Sequence, residues 1–321
     1  MNDEQAIEVK ASRMNPLTRP RFRVRPSCCG IHVFNRATGL NILLDEAQVP
    51  PALWAQAPRQ VSIALTTVCD LACSYCFAPK MPAWLGVERV VDWLDELDAN
   101  HCLGIGFGGG EPTLHRHLPE LCRYATEQTA LAVSLTTHAH HFDDVLAAGL
   151  AGNVHFVRVS MDGVGATYEA LRGRPFAAFR QRLDTVRNLS SFGINYIVNS
   201  RTLPDLDAAA NLAAEMGAAE FLLLPEHPVR GNGGIDERTA QAFRRWVAQY
   251  DGPVRLTVSE TDSDGLPFCD PLAGETGLRA FAHIDALGIL KRSSYDSAGV
   301  TIRGDGVMEA LKVLEKTKKE A

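Results

Sequence analysis

Cys69, Cys73 and Cys76 stand in the run Thr-Thr-Val-Cys-Asp-Leu-Ala-Cys-Ser-Tyr-Cys-Phe, spaced Cys-x3-Cys-x2-Cys with no fourth cysteine nearby. Thiolates this close together are soft ligands for an iron–sulfur cluster or for zinc. Four would close a site. Three leave one metal ion an open position, where substrate or cofactor chemistry takes place. A closed structural zinc site, the alternative, usually shows two paired short-spaced elements. Here there is one, and Cys28, Cys29, Cys102, Cys122 and Cys269 are scattered. A second constellation follows at Gly108-Gly109-Gly110-Glu111-Pro112. Glycines at a strand end let backbone carbonyls approach a ligand, because no Cβ intervenes, and a carboxylate there can accept hydrogen bonds from an ammonium. Taken alone, the stretch reads equally as a glycine-rich turn. It also matches Gly-x-Gly-x-x-Gly at Gly104, Gly106 and Gly109, but Pro112 follows closely and no acidic residue ends the next strand, which argues against a dinucleotide site.

The cysteine spacing, Tyr75 before the last cysteine and the Gly-Gly-Glu-Pro segment together resemble the radical S-adenosylmethionine (SAM) superfamily. The resemblance implies that Cys69, Cys73 and Cys76 hold one [4Fe–4S] cluster whose fourth iron chelates SAM. It implies reductive cleavage of SAM to a 5′-deoxyadenosyl radical that takes a hydrogen atom from the substrate. By the same resemblance Gly109, Gly110 and Glu111 seat the SAM amine, and Val157-Arg158-Val159-Ser160-Met161-Asp162-Gly163 is similar to a strand motif of peptide-modifying members, in which the serine contacts ribose or carboxylate. Arg172 matches an arginine that pairs with the SAM carboxylate, a role suited to a guanidinium fork. Tyr75 and Asn199 complete the expected cofactor-binding set. The bland alternatives are a capping or Asx turn for Ser160 and Asp162 and a solvated surface arginine for Arg172. An electron donor such as flavodoxin or ferredoxin is an implied partner.

Composition bounds the function classes. The chain has 321 residues, 46% of them hydrophobic, enough for one large domain with a small appendage. A net charge of −6 leaves no electrostatic footprint for nucleic acid. The basic tracts Arg19 to Arg25 and Lys316 to Lys319 are short and are expected to be solvated or flexible. The polar start is not a signal peptide, and no apolar run approaches the roughly 20 residues of a spanning helix. Eight cysteines without a secretion signal point to the reducing cytoplasm.

The elements that must position these residues show in the hydrophobic pattern, where apolar strand runs alternate with amphipathic helix stripes. Strands are expected at 61–65, 103–107, 131–136, 154–160, 194–200 and 220–224, and helices at 86–100, 118–129, 142–150, 176–191, 205–216 and 236–250. Six such units predict a parallel sheet with right-handed crossovers. Six are too few for the closed eight-stranded barrel. The fold class is therefore α/β, and the resemblance implies an open partial (β/α)6 TIM-type barrel; a flat doubly wound sheet is the alternative. Every unusual polar segment falls at a C-terminal strand end, where such sheets place their sites: the cysteine loop, Gly-Gly-Glu, Thr136-Thr137-His138, Ser160 to Gly163, Asn199 to Arg201 and Pro225 to Pro228.

The expected domain division is 1–57, a β-hairpin extension with strands at 22–26, 31–35 and 40–44; 58–252, the barrel; and 253–321, a cap with a strand at 254–259, a hairpin over 281–291 and a last helix from 307. Phe268-Cys269-Asp270-Pro271 and the hairpin after it are similar to the start of the SPASM/Twitch extension, whose further cysteines bind auxiliary clusters. No cysteine follows Cys269, so this cap is expected to be a degenerate module without an auxiliary cluster. Cys269 is then a relic, a hydrogen-atom donor to a substrate radical or a substrate contact. Cys28 and Cys29 are expected to be structural or incidental, Cys102 and Cys122 core thiols, and the His138, His140 and His141 group a polar loop. Relatives with such caps act on peptides or on small molecules such as aminoglycosides. The expected substrate is peptide or amino-acid-derived, with a sugar or aminoglycoside as the alternative and a non-enzymatic metal- or cluster-binding protein as the remote one.

Overall fold

The computed structural model describes residues 22–79, 81–229, 233–259, 262–269 and 272–317. The polar start, Arg19 to Arg21 and Lys318 to Lys319 lie outside the described residues. Three short antiparallel strands come first, β1 (Phe22–Ser27), β2 (Gly30–Asn35) and β3 (Leu40–Leu44), forming a sheet of their own. Gly39 takes the positive φ of 71° that closes the β2–β3 turn, and its N–H donates to Asn35 O at 2.8 Å.

The two described arginines of the basic tract, Arg23 and Arg25, are ion-paired, not merely solvated. Arg23 meets Asp98 at 2.8 Å. Arg25, 1% exposed, engages all five of its donors: Glu275 through Nε (3.0 Å) and Nη2 (2.9 Å), Ala57 O and His101 O through Nη1 (both 2.9 Å), and Arg279 O through Nη2 (3.2 Å). One guanidinium thus ties the N-terminal sheet to the segment entering the barrel and to the C-terminal region.

The main sheet starts with β4 (Gln60–Thr66) and repeats the strand–helix unit six times. In order come α1 (Val87–Ala99), β5 (Gly104–Gly109), α2 (Leu118–Gln128), β6 (Ala132–Thr137), α3 (Asp144–Leu150) and β7 (Phe156–Ser160). Then follow α4 (Ala166–Arg172), α5 (Phe176–Leu189), β8 (Ser191–Val198), α6 (Leu206–Glu215), β9 (Glu220–Pro225) and α7 (Glu237–Gln249). Neighbouring strands from β4 to β9 are all parallel and follow chain order. The helices bury the stripe their periodicity predicts, as α1 does with Val87, Val90, Val91, Leu94 and Leu97. The two outer strands of the sheet do not pair with each other, so the structure is an open partial (β/α)6 barrel of the TIM type.

The sheet does not stop at residue 252. β10 (Leu256–Val258) extends it in parallel beyond β9, and β11 (Phe281–Ile284) adds in parallel to β4. β12 (Ile289–Lys291) and β13 (Val300–Thr301) continue it antiparallel, giving ten strands in all, and α8 (Val307–Lys316) ends the described chain. Residues 253–317 are therefore built onto both edges of the barrel sheet. The reason is edge chemistry: an open barrel leaves two rows of unpaired backbone N–H and C=O groups, and these strands satisfy them. Among the described residues, no helix is long and apolar enough to cross a membrane.

Candidate functional site

The loop after β4 carries Cys69, Cys73 and Cys76, all free thiols, with Cys73 buried. Its entrance is clamped to the glycine turn ending β5. Gly110 N donates to Thr66 O at 2.7 Å and Glu111 N to Val68 O at 2.8 Å. A Cβ on Gly109, whose φ is 123°, would stand 2.1 Å from Thr66 O, and one on Gly110 would stand 2.3 Å from Val68 O. Residue type alone assigns these glycines to close approach of a ligand. The structure shows that they admit the backbone of the cysteine loop, a contact any side chain would abolish.

Glu111 is fully buried. Its Oε1 accepts from Thr113 N (3.1 Å), Thr113 Oγ1 (2.7 Å) and Thr137 Oγ1 (2.7 Å), and its Oε2 accepts from His138 N (2.9 Å). The expected seat for the SAM ammonium is thus a carboxylate already satisfied by the β5 turn and the end of β6. His138 carries the linkage further, with Nε2 lying 2.9 Å from Asp70 Oδ1 and 3.2 Å from Glu111 Oε2. Burial alone would raise the Asp70 carboxyl, but hydrogen bonds from His138 and His141 outweigh it and hold it down at about 2. Composition gave no signal for Asp70, Thr113 or Thr137; only their places at strand ends mark them.

On the opposite wall stands Asp162, just past β7. It accepts from Tyr75 Oη at 2.5 Å and from Ile197 N at 3.0 Å, and it pairs with Arg172 Nη2. Arg172 ends α4, where Gly173 in the left-handed region (φ 65°) stops the helix. Its Nη1 donates to Cys73 Sγ at 3.7 Å, and its Nε is buried with no partner. The arginine is therefore no solvated surface residue. Its carboxylate partner in the structure is Asp162, and one donor remains open beside the cysteine loop. Tyr75 packs under the guanidinium, 6.0 Å from ring centroid to Cζ.

Ser160 ends β7 half-buried, with no hydrogen bond from its hydroxyl to any described residue. Asn199 turns inward instead. Its Nδ2 donates to Glu226 at 2.7 Å, and its Oδ1 accepts from Arg201 N (2.9 Å) and Thr202 N (3.0 Å), an Asx turn that shapes the loop after β8. Cys269 is exposed in the segment between β10 and β11. Cys28 and Cys29 form the β1–β2 turn, where Cys28 Sγ donates to Gly274 O at 3.0 Å, while Cys102 and Cys122 are buried core thiols.

Two donor sets invite a metal. Cys69, Asp70 and His138 bring one ligand atom each to within 4.8 Å of one another. The histidine does not fit, because its Nδ1 accepts from His140 N at 3.1 Å, which puts the proton on Nε2 and leaves no lone pair there for an ion. The three cysteines do fit a cluster with one open position. They are unpaired on one short loop, Cys73 faces the Arg172 cation, and the orphaned Arg172 Nε awaits an acceptor at the same place. Burial pushes the Cys69 thiol up, so a bound metal is what would make it a thiolate. The remaining histidines of the loop after β6 are held by polar neighbours. His140 Nε2 meets Tyr168 Oη at 2.9 Å, and burial lowers this imidazole to about 4. A cleft of about 260 Å³ beside Asp70 is lined by His140, His141, Arg174 and Arg182.

Known proteins resemble this chain. Mycofactocin maturase MftC of Mycolicibacterium smegmatis is 32% identical over 172 residues, covering 50% of this chain and 43% of that protein. Sporulation killing factor maturation protein SkfB of Bacillus subtilis is 28% identical over 205 residues, 59% of this chain and 48% of that one. The chain thus spans about half the length of these relatives. Pre-heme d1 synthase of Dinoroseobacter shibae is 26% identical over 287 residues, 80% of this chain and 69% of that protein. Among solved structures, Streptococcus suis SuiB bound to its precursor peptide SuiA shares the fold with a TM-score of 0.69 at 13% identity, covering 94% of this chain and 90% of that one. Residues 63–206, which hold the cysteine loop, the glycine turn, Asp162 and Arg172, match the Radical SAM superfamily.

Proposed function

We propose that the chain is a radical SAM enzyme acting on a peptide or amino-acid-derived substrate. In this reading Cys69, Cys73 and Cys76 hold one [4Fe–4S] cluster. Bound there together with SAM, the cluster would supply the one-electron reductive cleavage of SAM that starts hydrogen-atom abstraction from the substrate. The protein's part is to bind, orient and keep water out. The glycine turn fixes the cysteine loop through Thr66 and Val68, and Glu111 fixes the turn. Backbone carbonyls of Gly109 and Gly110 offer acceptors to the SAM amine, Arg172 Nε and Ser160 Oγ offer donors to its carboxylate and ribose, and Tyr75 steadies Arg172. Asn199 acts through the loop it shapes. A small one-electron carrier such as flavodoxin or ferredoxin delivers the electron, and the reducing cytoplasm keeps the thiols available.

The observation that carries this reading is the three unpaired thiols on one loop beside a buried, partnerless Arg172 Nε. The names of MftC and SkfB, a maturase and a maturation protein, support the peptide, as does the precursor peptide in the SuiB structure. A second reading, chemistry on a tetrapyrrole, is favoured by the breadth of the match to pre-heme d1 synthase. The test is anaerobic reconstitution with iron and sulfide counting, followed by dithionite and SAM. We expect one cluster per chain, its loss in the Cys69→Ala, Cys73→Ala and Cys76→Ala variants, and release of methionine and 5′-deoxyadenosine. Zinc in place of iron, or a cluster that leaves SAM intact, sinks the reading. A faster release with peptide than with tetrapyrrole separates the two substrates.

A further inference from the structure

Four segments that follow strand ends or the cysteine loop meet in one cluster of side chains. His227 follows β9, Ser259 and Asp262 follow β10, Tyr295 follows β12, and Phe77 directly follows the cluster-loop residue Cys76. His227 Nε2 lies 2.7 Å from Asp262 Oδ1, and Ser259 Oγ donates to Asp262 Oδ2. The Asp262 side chain is 3% exposed. The imidazole stacks on Tyr295 with centroids 4.1 Å apart and planes 26° apart, and Tyr295 packs on Phe77 at 4.6 Å. Burial, with the Asp262 carboxylate nearby, pushes the Tyr295 phenol up to about 12.

These contacts fix one tautomer. A buried carboxylate facing Nε2 keeps the proton on that nitrogen, which leaves Nδ1 with a lone pair. Nδ1 makes no hydrogen bond to any described residue and is not among the buried unpartnered atoms, and the side chain is 30% exposed. Here one nitrogen is locked, the ring is held flat against an aromatic neighbour, and the second nitrogen is left open. Phe77, which packs on the same Tyr295 ring as the imidazole, is 46% exposed and offers an apolar surface one ring away from the pre-oriented acceptor.

We propose that His227 Nδ1, pinned through Asp262 and Tyr295, is the substrate-facing hydrogen-bond acceptor of this cluster, and that it takes a peptide amide N–H whose apolar or aromatic side chain lies on the exposed face of Phe77. The assignment rests on the peptide reading above and deepens it. It also gives the C-terminal strands a role, because they carry Asp262 and Tyr295 to the imidazole that follows β9. A planar, apolar side chain beside one amide donor is the chemical class that fits.

The experiment needs no turnover. In the cluster-loaded, SAM-bound and oxidised protein labelled with 15N-histidine, long-range proton–nitrogen correlation reads each imidazole's tautomer, and His227→Gln assigns the resonance. We expect an Nε2–H tautomer. We also expect a saturable shift of the Nδ1 resonance on adding N-acetyl-phenylalaninamide, with no such shift for methyl 3-phenylpropionate, which has the ring and no N–H. Asp262→Asn, or Ser259→Ala if the first variant does not fold, should weaken the tautomer preference and the shift together. An Nδ1–H tautomer, an Nδ1 resonance unmoved by the amide, or equal shifts for amide and ester each overturn the proposal. None of these outcomes depends on SAM cleavage, so a failed radical SAM reading shows itself separately, as intact SAM under dithionite.

Discussion

Glu111→Ala distinguishes two ways in which the glycine turn can work. If Glu111 served only as a direct acceptor for the SAM ammonium, its loss would weaken SAM binding and leave the cluster alone. The structure gives the carboxylate a different set of duties. Four donors converge on it, two of them backbone N–H groups, of Thr113 and His138, that cannot turn elsewhere. Each buried donor left unpaired costs about 1–3 kcal/mol. The two hydroxyls can rotate to other acceptors, so the two amides set the scale, about 2–6 kcal/mol in all. That loss falls on the contact between the glycine turn and the cysteine loop, because Glu111 N and Gly110 N hold Val68 O and Thr66 O from the same short segment. Glu111→Ala should therefore lower the anaerobic urea midpoint and cut iron and sulfide per chain, with SAM affinity falling as a consequence. Glu111→Gln keeps an oxygen for the three donors at Oε1 but sets an amide N–H2 against His138 N–H, so it should show about half the loss. Isothermal titration with SAM, read beside the metal count, is the assay. An alanine variant with full cluster content and unchanged midpoint, deficient in SAM binding alone, would refute the reasoning and return Glu111 to the ligand shell.

Two further outcomes follow from buried charge. Glu275→Gln strips Arg25 of its carboxylate while the guanidinium stays buried, a change that costs about 3–5 kcal/mol; the urea midpoint should drop accordingly, the double variant Arg25→Met/Glu275→Leu should recover most of it, and a single variant within about 1 kcal/mol of the parent contradicts the hub assigned to Arg25. His283, facing Ser62 Oγ at 2.7 Å, is lowered by burial from 6.5 to about 4, so the folded state resists its protonation. Its contribution is complete above pH 6.5 and is lost as pH falls toward 4, about 2 kcal/mol by pH 5. His283→Gln should flatten the fall of stability between pH 7 and pH 5, and identical slopes in the two proteins would dismiss the effect.

The barrel is legible in the sequence because each of its units carries two independent signals, an apolar strand and a helical stripe such as Val87 to Leu97, and the two periods do not mimic each other. What escapes is what lacks length. α4 spans only Ala166–Arg172 between Gly165 and Gly173, too short for a periodic pattern, and β8 starts at Ser191 directly after Ser190 caps α5, so Ser191 reads as the end of the helix and the strand is expected only from residue 194. The union of the C-terminal strands with the barrel sheet is likewise invisible, since β11 pairs with β4 across more than two hundred residues and no local residue type announces which edge a strand will join.

The site divides along the same line. Residue type and spacing mark Cys69, Cys73, Cys76, Gly109, Gly110 and Glu111, because soft ligation and close backbone approach each demand particular residues at particular distances. Partnership is another matter. That Glu111 is spent on Thr113, Thr137 and His138, that Arg172 leans on Asp162 and Cys73, and that Asn199 closes its own loop are facts of three-dimensional pairing. A carboxylate and a guanidinium read identically in a sequence whether they face a ligand or each other. The consequence for the chemistry is that the polar residues named by the motif act mostly on the protein itself. They hold the cysteine loop, the glycine turn and the loop after β7 in register, so that the few side-chain groups left open, Arg172 Nε and Ser160 Oγ, are presented at fixed positions. Rigid presentation by a satisfied surrounding network is what the proposed radical reaction would require of its protein, because a small misplacement of bound groups is enough to lose the reacting geometry.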